Sequence, residues 1–559
     1  MGSKIKKSLA IVSAIVLGLS FATAKVDAYP SNAMVKVGIM DSGYKTVEKS
    51  TVTIYGTEEC ILFDNVSREE GIRLPKGKFL TIEKNNGTYR LTYISTDNLA
   101  EKAYEIDQDF TITCPNGVIG IKDLMRGGKP ALYRGEFRIT STNNPSKFYL
   151  VNCLDVEYYL KGVVPSEMPV YFGLEALKAQ AVAARNYSLS PRTKMARSYD
   201  VVDSVASQVY HGFNRESDIA NKAIDETHGL VALYDDEMII AVFSSTAGGY
   251  TESYSNTFSD SITKAFPCNE KGYLVATPDN PNFKPLNNEE DAFEFYSTKP
   301  DSYDIHSPLY RWTKVWTKEE LENVLKSTLI VQSKTGFVEP ALINSEDFGS
   351  LKEIKVTSRG DSGKIITMEI KTDKNTFTVG KELVIRRMFT KDGKALPSAN
   401  VVFKYNIDEQ GNWSEITAYG GGFGHGCGLS QYGAMYMAKD CKMSFDEILK
   451  HYYKDICIAT KPIELKDNFA NMCFYAPTKK STLVITNAYD TQVLQMSINN
   501  EIVNLNIEKS KNERFETDIS KYIKKGELNT VTFTPPCQNR LDTRRMDKVK
   551  PITIYIRMD

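Results

Sequence analysis

Hydrophobic and polar positions alternate in short runs along the first part of the chain. Alternation of this kind, with polar turns between the runs, is typical of β-strands. The runs are "MVKVGI", "STVTIYG", "KFLTIEK", "YRLTYI", "YRGEFRITST" and "KFYLVNCLDVEYYL". The pattern therefore predicts a β-rich region over residues 29–150, and it predicts that the last run continues as a strand through "DVEYYL".

The hydrophobic period changes to that of a helix in Gly173–Leu189, "GLEALKAQAVAARNYSL", which is rich in alanine. One face of this predicted helix carries small and apolar side chains, which allow close packing on a sheet. Its residues are Leu174, Leu177, Ala181, Ala184 and Ser188. Strands resume in "GLVALYDDEMIIAVFSS", where Asp235 and Asp236 predict a hairpin turn.

A more polar stretch begins near residue 277 and opens an insertion that ends at about residue 400. The insertion holds a predicted helix, "TKEELENVLKST", with a threonine cap, and the alternating runs "LKEIKVTSR", "GKIITMEIKT" and "NTFTVG". A second amphipathic helix, "SFDEILKHYYKD", follows the insertion. We therefore predict an α+β core with mixed sheets and packed helices over residues 151–462.

The chain changes character near Ile463–Asp467. Beyond this point short alternating runs and turns follow one another, and no long helix is evident: "STLVITN", "VLQMSIN", "IVNLNIE", "NTVTFTP" and "ITIYIRM". The spacing predicts a small all-β sandwich over residues 463–559. Its sequence resembles the accessory jelly-roll modules of carbohydrate-active proteins.

The N-terminus has the layout of a secretory signal over residues 1–28. Lys4, Lys6 and Lys7 precede an uncharged run from Ser8 to Ala24, and small residues follow it. The run is shorter than the ~20 apolar residues of a membrane span, so we expect no stable span after cleavage. The net charge of −1 gives no argument for binding nucleic acid. The nine cysteines form no CxxC pair, so neither a disulfide framework nor a cysteine-rich zinc site is indicated.

The stretch "VVPSEMPV", residues 163–170, places Glu167 between two prolines and among apolar neighbours. The prolines fix φ and bias the residues before them away from helix, which predicts a stiff loop. Partial burial would raise the pKa of Glu167 and keep it protonated as a general acid. The alternative is structural, because Ser166 or Glu167 can cap the helix that follows.

Two glycine-bearing stretches offer further polar side chains. "YGGGFGHGCGLSQYGAMYMAKD" surrounds His425 with glycines that permit close approach of backbone amides to a ligand. It lacks the pattern of a phosphate-binding loop, and a hydrogen-bonded structural role for His425 is the alternative to a place in a cleft. "VFSSTAGGYTESY" places Ser244 and Ser245 after a strand, but without the GxSxG motif of a hydrolase nucleophile.

Taken together, these stretches resemble the stage II sporulation protein D and amidase-enhancer family, SpoIID/LytB. The resemblance rests on "YLKGVVPSEMPVYFGLEALKAQAVAARNYSL", "YDVVDSVASQVYHG", "FSSTAGGYTE" with "YLVATPD", and "GGGFGHGCGLSQYGAMYMAKD" running into "ILKHYY". The order and spacing of these motifs match the family over roughly Val35–Ile458. The predicted C-terminal sandwich lies outside the resemblance.

The resemblance implies a lytic transglycosylase that cuts cell-wall glycan between N-acetylmuramic acid and N-acetylglucosamine. The catalytic acid of the family falls on Glu167. An ordinary glycosidase needs two carboxyl groups, whereas here the 6-hydroxyl of the sugar itself attacks C1 and leaves a 1,6-anhydro end. One carboxyl group that first donates and then accepts a proton is therefore sufficient.

The remaining candidates are polar side chains of the family motifs. Lys178 and Arg185 lie seven residues apart on one helix face, where they orient Glu167, meet muramic carboxylates or are simply surface charges. Candidates for binding sugar hydroxyls and acetamides are Gln208, Tyr210, Ser244, Ser245, His425, Ser430, Gln431 and Tyr432. Some family members hold zinc through His and Cys in the segment that matches residues 194–208. This chain has neither residue there, so we expect no metal and no cofactor.

The resemblance also supports a second hypothesis, a non-catalytic amidase enhancer that binds wall glycan and stimulates a cell-wall amidase. A purely adhesive surface protein is a third. The expected partners are peptidoglycan glycan strands and, for the enhancer, the amidase. The expected location is extracytoplasmic, in the wall or at the outer face of the membrane, including a sporulation septum.

Overall fold

The computed structural model describes residues 33–64, 70–94, 100–190, 198–409, 411–465, 470–486, 493–506, 514–533 and 552–559. The predicted signal segment therefore lies outside the described residues. Within them the chain forms helices and sheets in the α+β manner that the sequence predicts. The α-helices are α1 (Val156–Glu167), α2 (Leu174–Leu189), α3 (Asp218–Asp225), α4 (Glu289–Ser297), α5 (Lys318–Ser333), α6 (Glu382–Met388), α7 (Gln431–Lys439) and α8 (Phe445–Tyr452). No described helix is both long and apolar enough to cross a membrane.

Two sheets contain the strands predicted before residue 150. In spatial order the first sheet consists of Val201–Val202, Met34–Gly38, Phe148–Asp155, Glu136–Ser141, Phe110–Thr113, Cys60–Asp64 and Glu70–Leu74, with Glu48–Lys49 paired to Phe148–Asp155. The second consists of Lys129–Tyr133, Ile119–Arg126, Thr51–Gly56, Phe79–Asn85, Thr88–Ile94 and Glu101–Ile106. Their inward side chains share one core with helices α1 and α2.

The strand predicted through "DVEYYL" is wrong in its second half. The strand ends at Asp155, and helix α1 begins at Val156. The carboxylate of Asp155 accepts the backbone N–H of Glu157 at 2.9 Å, which caps the helix. A run of alternating apolar and polar residues can therefore form a helix when a capping residue such as Asp155 precedes it.

The insertion builds a smaller core of its own. A three-stranded sheet, Trp312–Thr317, Trp413–Gly420 and Val401–Ile407, lies beside a four-stranded sheet, Val338–Glu339, Thr376–Gly380, Ile365–Thr372 and Leu351–Arg359. Thr317 caps α5 as predicted, because its hydroxyl accepts the N–H of Glu320 at 3.1 Å. The central strand Trp413–Gly420 leads directly into the glycine-rich stretch, so the insertion supports the start of that loop.

Two further sheets contain the strands of the C-terminal region. One consists of Ala470–Tyr475, Leu528–Phe533, Val493–Ile498 and Glu501–Asn506. The other runs Glu237–Met238, Leu230–Tyr234, Cys457–Thr460, Thr553–Met558, Ser481–Thr486 and Arg514–Asp518, with Ile463–Glu464 paired to Thr553–Met558. This second sheet crosses residue 463, and its hairpin of Leu230–Tyr234 and Glu237–Met238 turns at the predicted aspartates. The C-terminal strands of this second sheet therefore extend a sheet of the core, whereas those of the first sheet pair only with one another.

A buried ion pair joins α1 to α2 beneath these sheets. The guanidinium of Arg185 binds both carboxylate oxygens of Glu157, at 2.8 and 2.6 Å, and donates to the carbonyl of Leu230 at 2.9 Å. Both side chains are fully buried. Burial raises the pKa of Glu157, but Arg185 brings the pKa below its ordinary value. The pair satisfies both charges inside the core.

We expect Arg185→Leu to lower the free energy of unfolding by about 3–5 kcal/mol, because it leaves the Glu157 carboxylate buried without a counter-charge. Adding Glu157→Gln should recover most of that loss. Urea denaturation of both single variants and the double variant measures the coupling. A double variant no more stable than Arg185→Leu would contradict the ion pair as the cause.

Candidate active site

Glu167 is the last residue of helix α1. The expected stiff loop and the alternative N-cap are both wrong, because Pro165 lies inside the helix. The second proline ends it: Met168, which precedes Pro169, is extended at φ −124° and ψ 128°. The N–H of Met168 still bonds to the carbonyl of Val164 at 2.9 Å. Glu167 thus projects from a helix end of defined geometry.

The Glu167 carboxyl group is held by one backbone amide. Its Oε1 atom accepts the N–H of Val209 at 2.5 Å. Burial raises the pKa of Glu167 to about 7, and the Val209 hydrogen bond opposes that rise. Among the described residues, no cation and no second carboxyl group contributes to this pKa. The group is therefore able to hold or release a proton near neutral pH.

The segment that carries Val209 is anchored in the interior. Gln208 is fully buried; its Oε1 accepts the hydroxyl of Tyr159 at 3.1 Å, and its amide nitrogen donates to the carbonyl of Ala184 at 3.3 Å. The hydroxyl of Tyr210 donates to Asn152 at 2.9 Å. The expectation that Gln208 and Tyr210 bind sugar does not fit their burial. They fix the position of the Val209 amide instead.

Gln431 connects the glycine-rich stretch to Glu167. Its amide nitrogen donates to the backbone carbonyl of Glu167 at 3.1 Å and to Oε1 of Gln180 at 3.2 Å. Gln431 begins α7, and Ser430 caps that helix by accepting the N–H of Gly433 at 3.4 Å. The predicted residue Gln431 thus lies beside the acid, although its amide is occupied by the protein.

Tyr432 and Ser245 bring the two glycine-bearing loops to the same place. The N–H of Tyr432 donates to the carbonyl of Ser245 at 3.1 Å, and its ring packs on Phe172 with centroids 4.9 Å apart. Ser244 pairs with Ser430 in a short parallel ladder. The buried hydroxyl of Ser244 has no hydrogen-bond partner among the described residues. The stretch that carries Glu167 and the two glycine-bearing stretches therefore converge around the end of α1.

His425 lies in the glycine-rich loop and is partly exposed. Its Nδ1 atom accepts the N–H of Cys427 at 3.1 Å, and its ring contacts Phe258 with centroids 5.3 Å apart. The buried ammonium of Lys364 donates to the backbone carbonyl of His425. These contacts agree with the structural alternative for His425, which keeps the loop in its turn.

Lys178 and Arg185 do not join this site. Lys178 lies two residues from Gln180 and so points to another side of α2. It forms ion pairs with Glu175 at 2.8 Å and Glu226 at 2.7 Å, and it lines a separate cavity of about 310 Å³. Arg185 is occupied by Glu157 inside the core. Neither expectation, orienting Glu167 or binding muramic carboxylates, fits these positions.

Sequence reasoning missed several residues of the site. Gln180 is fully buried, yet it holds Gln431. Tyr171 is 63% exposed beside Phe172, and Phe423 is 45% exposed in the glycine-rich loop. The position of these two rings next to motif residues was an available signal. No sequence signal pointed to the Val209 amide, because every residue except proline has a backbone N–H.

The residues present do not fit the zinc that some family members hold. Residues 198–208 contain no His or Cys, and residues 191–197 lie outside the described ranges. Elsewhere in the described chain, no three His, Cys, Asp or Glu side chains group closely enough to hold a metal ion. We derive no chemistry through a metal.

Two family models match adjoining parts of the chain. The model described as "Stage II sporulation protein" matches residues 144–234, which contain Glu167 and Val209. A second model, described as a domain of unknown function (DUF8618), matches residues 242–428, which contain the insertion and both glycine-bearing loops. The two matches together contain Glu167, Val209 and Ser245, whereas Gln431 and Tyr432 follow the end of the second match.

The curated relatives agree with the first model. The chain is 32% identical over 298 residues to the amidase enhancer of Bacillus subtilis strain 168, which is 53% of this chain and 39% of that protein. It is 31% identical over 311 residues to an uncharacterized protein of Brachyspira hyodysenteriae, 55% of this chain and 68% of that protein. It is 29% identical over 320 residues to stage II sporulation protein D of Bacillus subtilis, 54% and 74% respectively. The chain belongs to the SpoIID/LytB family.

Membership fits the geometry, because the motifs of SpoIID/LytB proteins are the segments that meet at the end of α1. The match spans well under half of the amidase enhancer. The family name therefore identifies the core of this chain rather than the activity of that whole relative.

The raised pKa of Glu167 makes a prediction about stability. In the unfolded chain this group releases its proton near its ordinary pKa of 4.5, whereas the folded protein keeps the proton to about pH 7. The contribution of Glu167 to folding stability therefore falls between these pH values, by about 3 kcal/mol in total. Glu167→Gln cannot ionise, so we expect it to match wild type at pH 4 and to be more stable at pH 8.

Urea denaturation at both pH values checks this expectation. Glu290→Gln, an exposed substitution on α4, is the matched control and should follow wild type at each pH. Equal stability of Glu167→Gln and wild type at pH 8 would mean that the carboxyl group is not desolvated.

Proposed function

We propose that this SpoIID/LytB protein is a lytic transglycosylase of cell-wall peptidoglycan. Its substrate would be the glycan strand, cleaved between N-acetylmuramic acid and N-acetylglucosamine. The observation that carries the proposal is the environment of Glu167, whose pKa is raised to about 7 without a charged partner among the described residues. A carboxyl group of this kind is protonated in a large fraction of molecules at neutral pH, as general acid catalysis requires.

Each proton has a place in this reaction. Protonated Glu167 donates to the glycosidic oxygen as the bond from C1 to that oxygen breaks. The carboxylate so formed accepts the proton of the sugar's 6-hydroxyl, whose oxygen forms the new bond to C1. The products are a shortened strand with a 1,6-anhydro end and a sugar with a free 4-hydroxyl. The Val209 N–H, 2.5 Å from Oε1, stabilises the carboxylate between the two transfers.

The proposed reaction needs only one carboxyl group. A retaining or inverting glycosidase needs another carboxyl group about 5–9 Å away, whereas an intramolecular nucleophile removes the need for one.

Exposed aromatic side chains on the segments that meet at the acid support a glycan as the ligand. Tyr171 is exposed and packs on Phe172, which also contacts the half-buried Tyr432, and Phe423 is exposed in the glycine-rich loop. Aromatic rings provide flat apolar faces that combine with polar edges, which suits the apolar faces of sugar rings. Ser245 supplies a partly exposed hydroxyl in the same place.

A non-catalytic amidase enhancer is the second candidate, favoured by the relative that bears that name. The same site would then bind glycan without cutting it, and the partner would be a cell-wall amidase. Both candidates act outside the cytoplasm, as the predicted signal segment and the family both suggest. The jelly-roll likeness of residues 463–559 stays a prediction, with no ligand assigned.

Denuded glycan, stripped of stem peptides, separates the two candidates. We expect wild-type protein to release fragments with 1,6-anhydro ends, detected by mass spectrometry, and Glu167→Gln to reduce the rate at least about 1,000-fold because it has no proton to transfer. Glu290→Gln is the control and should cleave like wild type. Tight binding without anhydro products would favour the enhancer.

The pH profile tests the acid itself. The free enzyme needs Glu167 protonated, so kcat/KM should be level below about pH 6 and fall about tenfold per pH unit above about pH 7. The measurement is the initial rate of anhydro-product release at low glycan concentration. A rate that instead rises through pH 7 would show that the essential form is the carboxylate, against the proposed first step.

A further inference from the structure

The segment Ser302–Trp312 contributed no residue to the predicted site, yet it contacts both glycine-bearing loops. At its centre Asp304 is fully buried. Its carboxylate accepts the hydroxyl of Thr246 at 2.5 Å and the N–H of Gly248 at 2.8 Å, both in the first loop. From the second loop the hydroxyl of Ser430 approaches the same oxygen at 3.4 Å.

The rest of the segment holds the same loops at their backbones. Arg311 donates to the carbonyl of Gly248 at 2.9 Å, so that residue is bound at its N–H by Asp304 and at its C=O by Arg311. The indole of Trp312 donates to the carbonyl of Gly422 at 3.1 Å. Gly248 has φ +81°, and a Cβ there would lie 2.7 Å from the carbonyl carbon of Gly421. The two loops therefore touch where the segment binds them.

A carboxylate at this fully buried position carries a desolvation penalty. Burial first, and then the neighbouring carboxyl of Asp279, raise the pKa of Asp304 to about 6. Asp279 shares the hydroxyl of Ser302 with Asp304 and lies 3.3 Å from the ring of His451. An apolar side chain would avoid this penalty, but the hydroxyl of Thr246 would lose its acceptor and the N–H of Gly248 would keep only the Thr246 hydroxyl, at 3.4 Å.

We propose that Asp304 is a positioning residue that holds residues 244–249 and 420–431 in the arrangement that receives glycan. The contacts run from Asp304 to Ser430, which caps α7, and from Gln431, the first residue of α7, to the backbone of Glu167. Asp304 does not touch the substrate. The inference rests on the proposed function, since it gives these loops a role in binding the same strand.

The test compares Asp304→Ala with Asp304→Asn. Alanine removes both carboxylate oxygens, so amide hydrogen exchange in residues 246–249 and 421–431 should accelerate about tenfold or more. Asparagine keeps one oxygen facing the loop donors and should restore most of the protection. Asp301→Ala, an exposed neighbour, is the control and should exchange like wild type.

The same variants are measured for binding and cleavage of denuded glycan. In Asp304→Ala we expect KM, or the dissociation constant of the strand, to rise about tenfold and kcat to change less. Glu167→Gln should abolish cleavage while leaving loop exchange as in wild type. If wild-type protein cleaves no glycan, the proposed function fails, but loop exchange and glycan binding still decide the role of Asp304.

Wild-type exchange and binding in Asp304→Ala would overturn the inference. If Asp304→Ala unfolds the whole chain, Thr246→Val takes its place, because it removes one hydroxyl donor with little change of shape. The Thr246 hydroxyl also accepts the N–H of Gly248 at 3.4 Å, so the readout is exchange in the second loop, residues 421–431. Faster exchange there in Thr246→Val supports the inference, and unchanged exchange there with unchanged glycan binding overturns it.

Discussion

The site depends on how the end of helix α1 is held in relation to one backbone amide. Glu167 occupies the last helical turn, and the N–H of Val209 meets its carboxyl group from a separate segment. The two partners are fixed independently. Pro169 favours the extended Met168 that ends the helix at Glu167, while the buried side chains of Gln208 and Tyr210 anchor the segment on either side of Val209. A shift of either support would change the solvation of the carboxyl group, and hence its pKa.

Much of the fold was predictable because local patterns decide it. Helix α2, the cap of α5 by Thr317 and the hairpin at Asp235 and Asp236 all follow from spacing or from a single capping or turn residue. The start of α1 was not, because a run that alternates in a strand becomes helical once Asp155 caps it. No local pattern indicated that strands before and after residue 463 pair in one sheet. Whether a C-terminal strand pairs with Cys457–Thr460 depends on distant partners that no local pattern specifies.

The sequence predicts Glu167 as the acid of the candidate site, but it predicts the residues around Glu167 less well. Glu167, Gln431 and Tyr432 do lie together, since they belong to motifs that converge. The motifs predict that their polar side chains bind ligand. Gln208 and Arg185 instead point into the core, where they bind the carbonyl of Ala184 and the carboxylate of Glu157. A sequence shows that a polar residue is present and not which way it points. Asp304 was missed for the same reason, because its role depends on loops far away in the chain.

Three acids in this chain differ in what offsets their burial; Glu157 and Asp304 are fully buried, and Glu167 is partly buried. Glu157 is met by a guanidinium, and its pKa lies below the ordinary value, so it stays ionised and serves packing. Asp304 has several neutral donors but a second acid nearby, and its pKa rises to about 6. Glu167 has one amide, and its pKa rises to about 7. A guanidinium partner alone does not decide the outcome, because burial raises the pKa of Asp203 although Arg126 binds it at 2.7 Å. What distinguishes Glu167 is its place, since it lies where the motif segments converge and the proposed reaction needs an acid that is protonated near neutral pH.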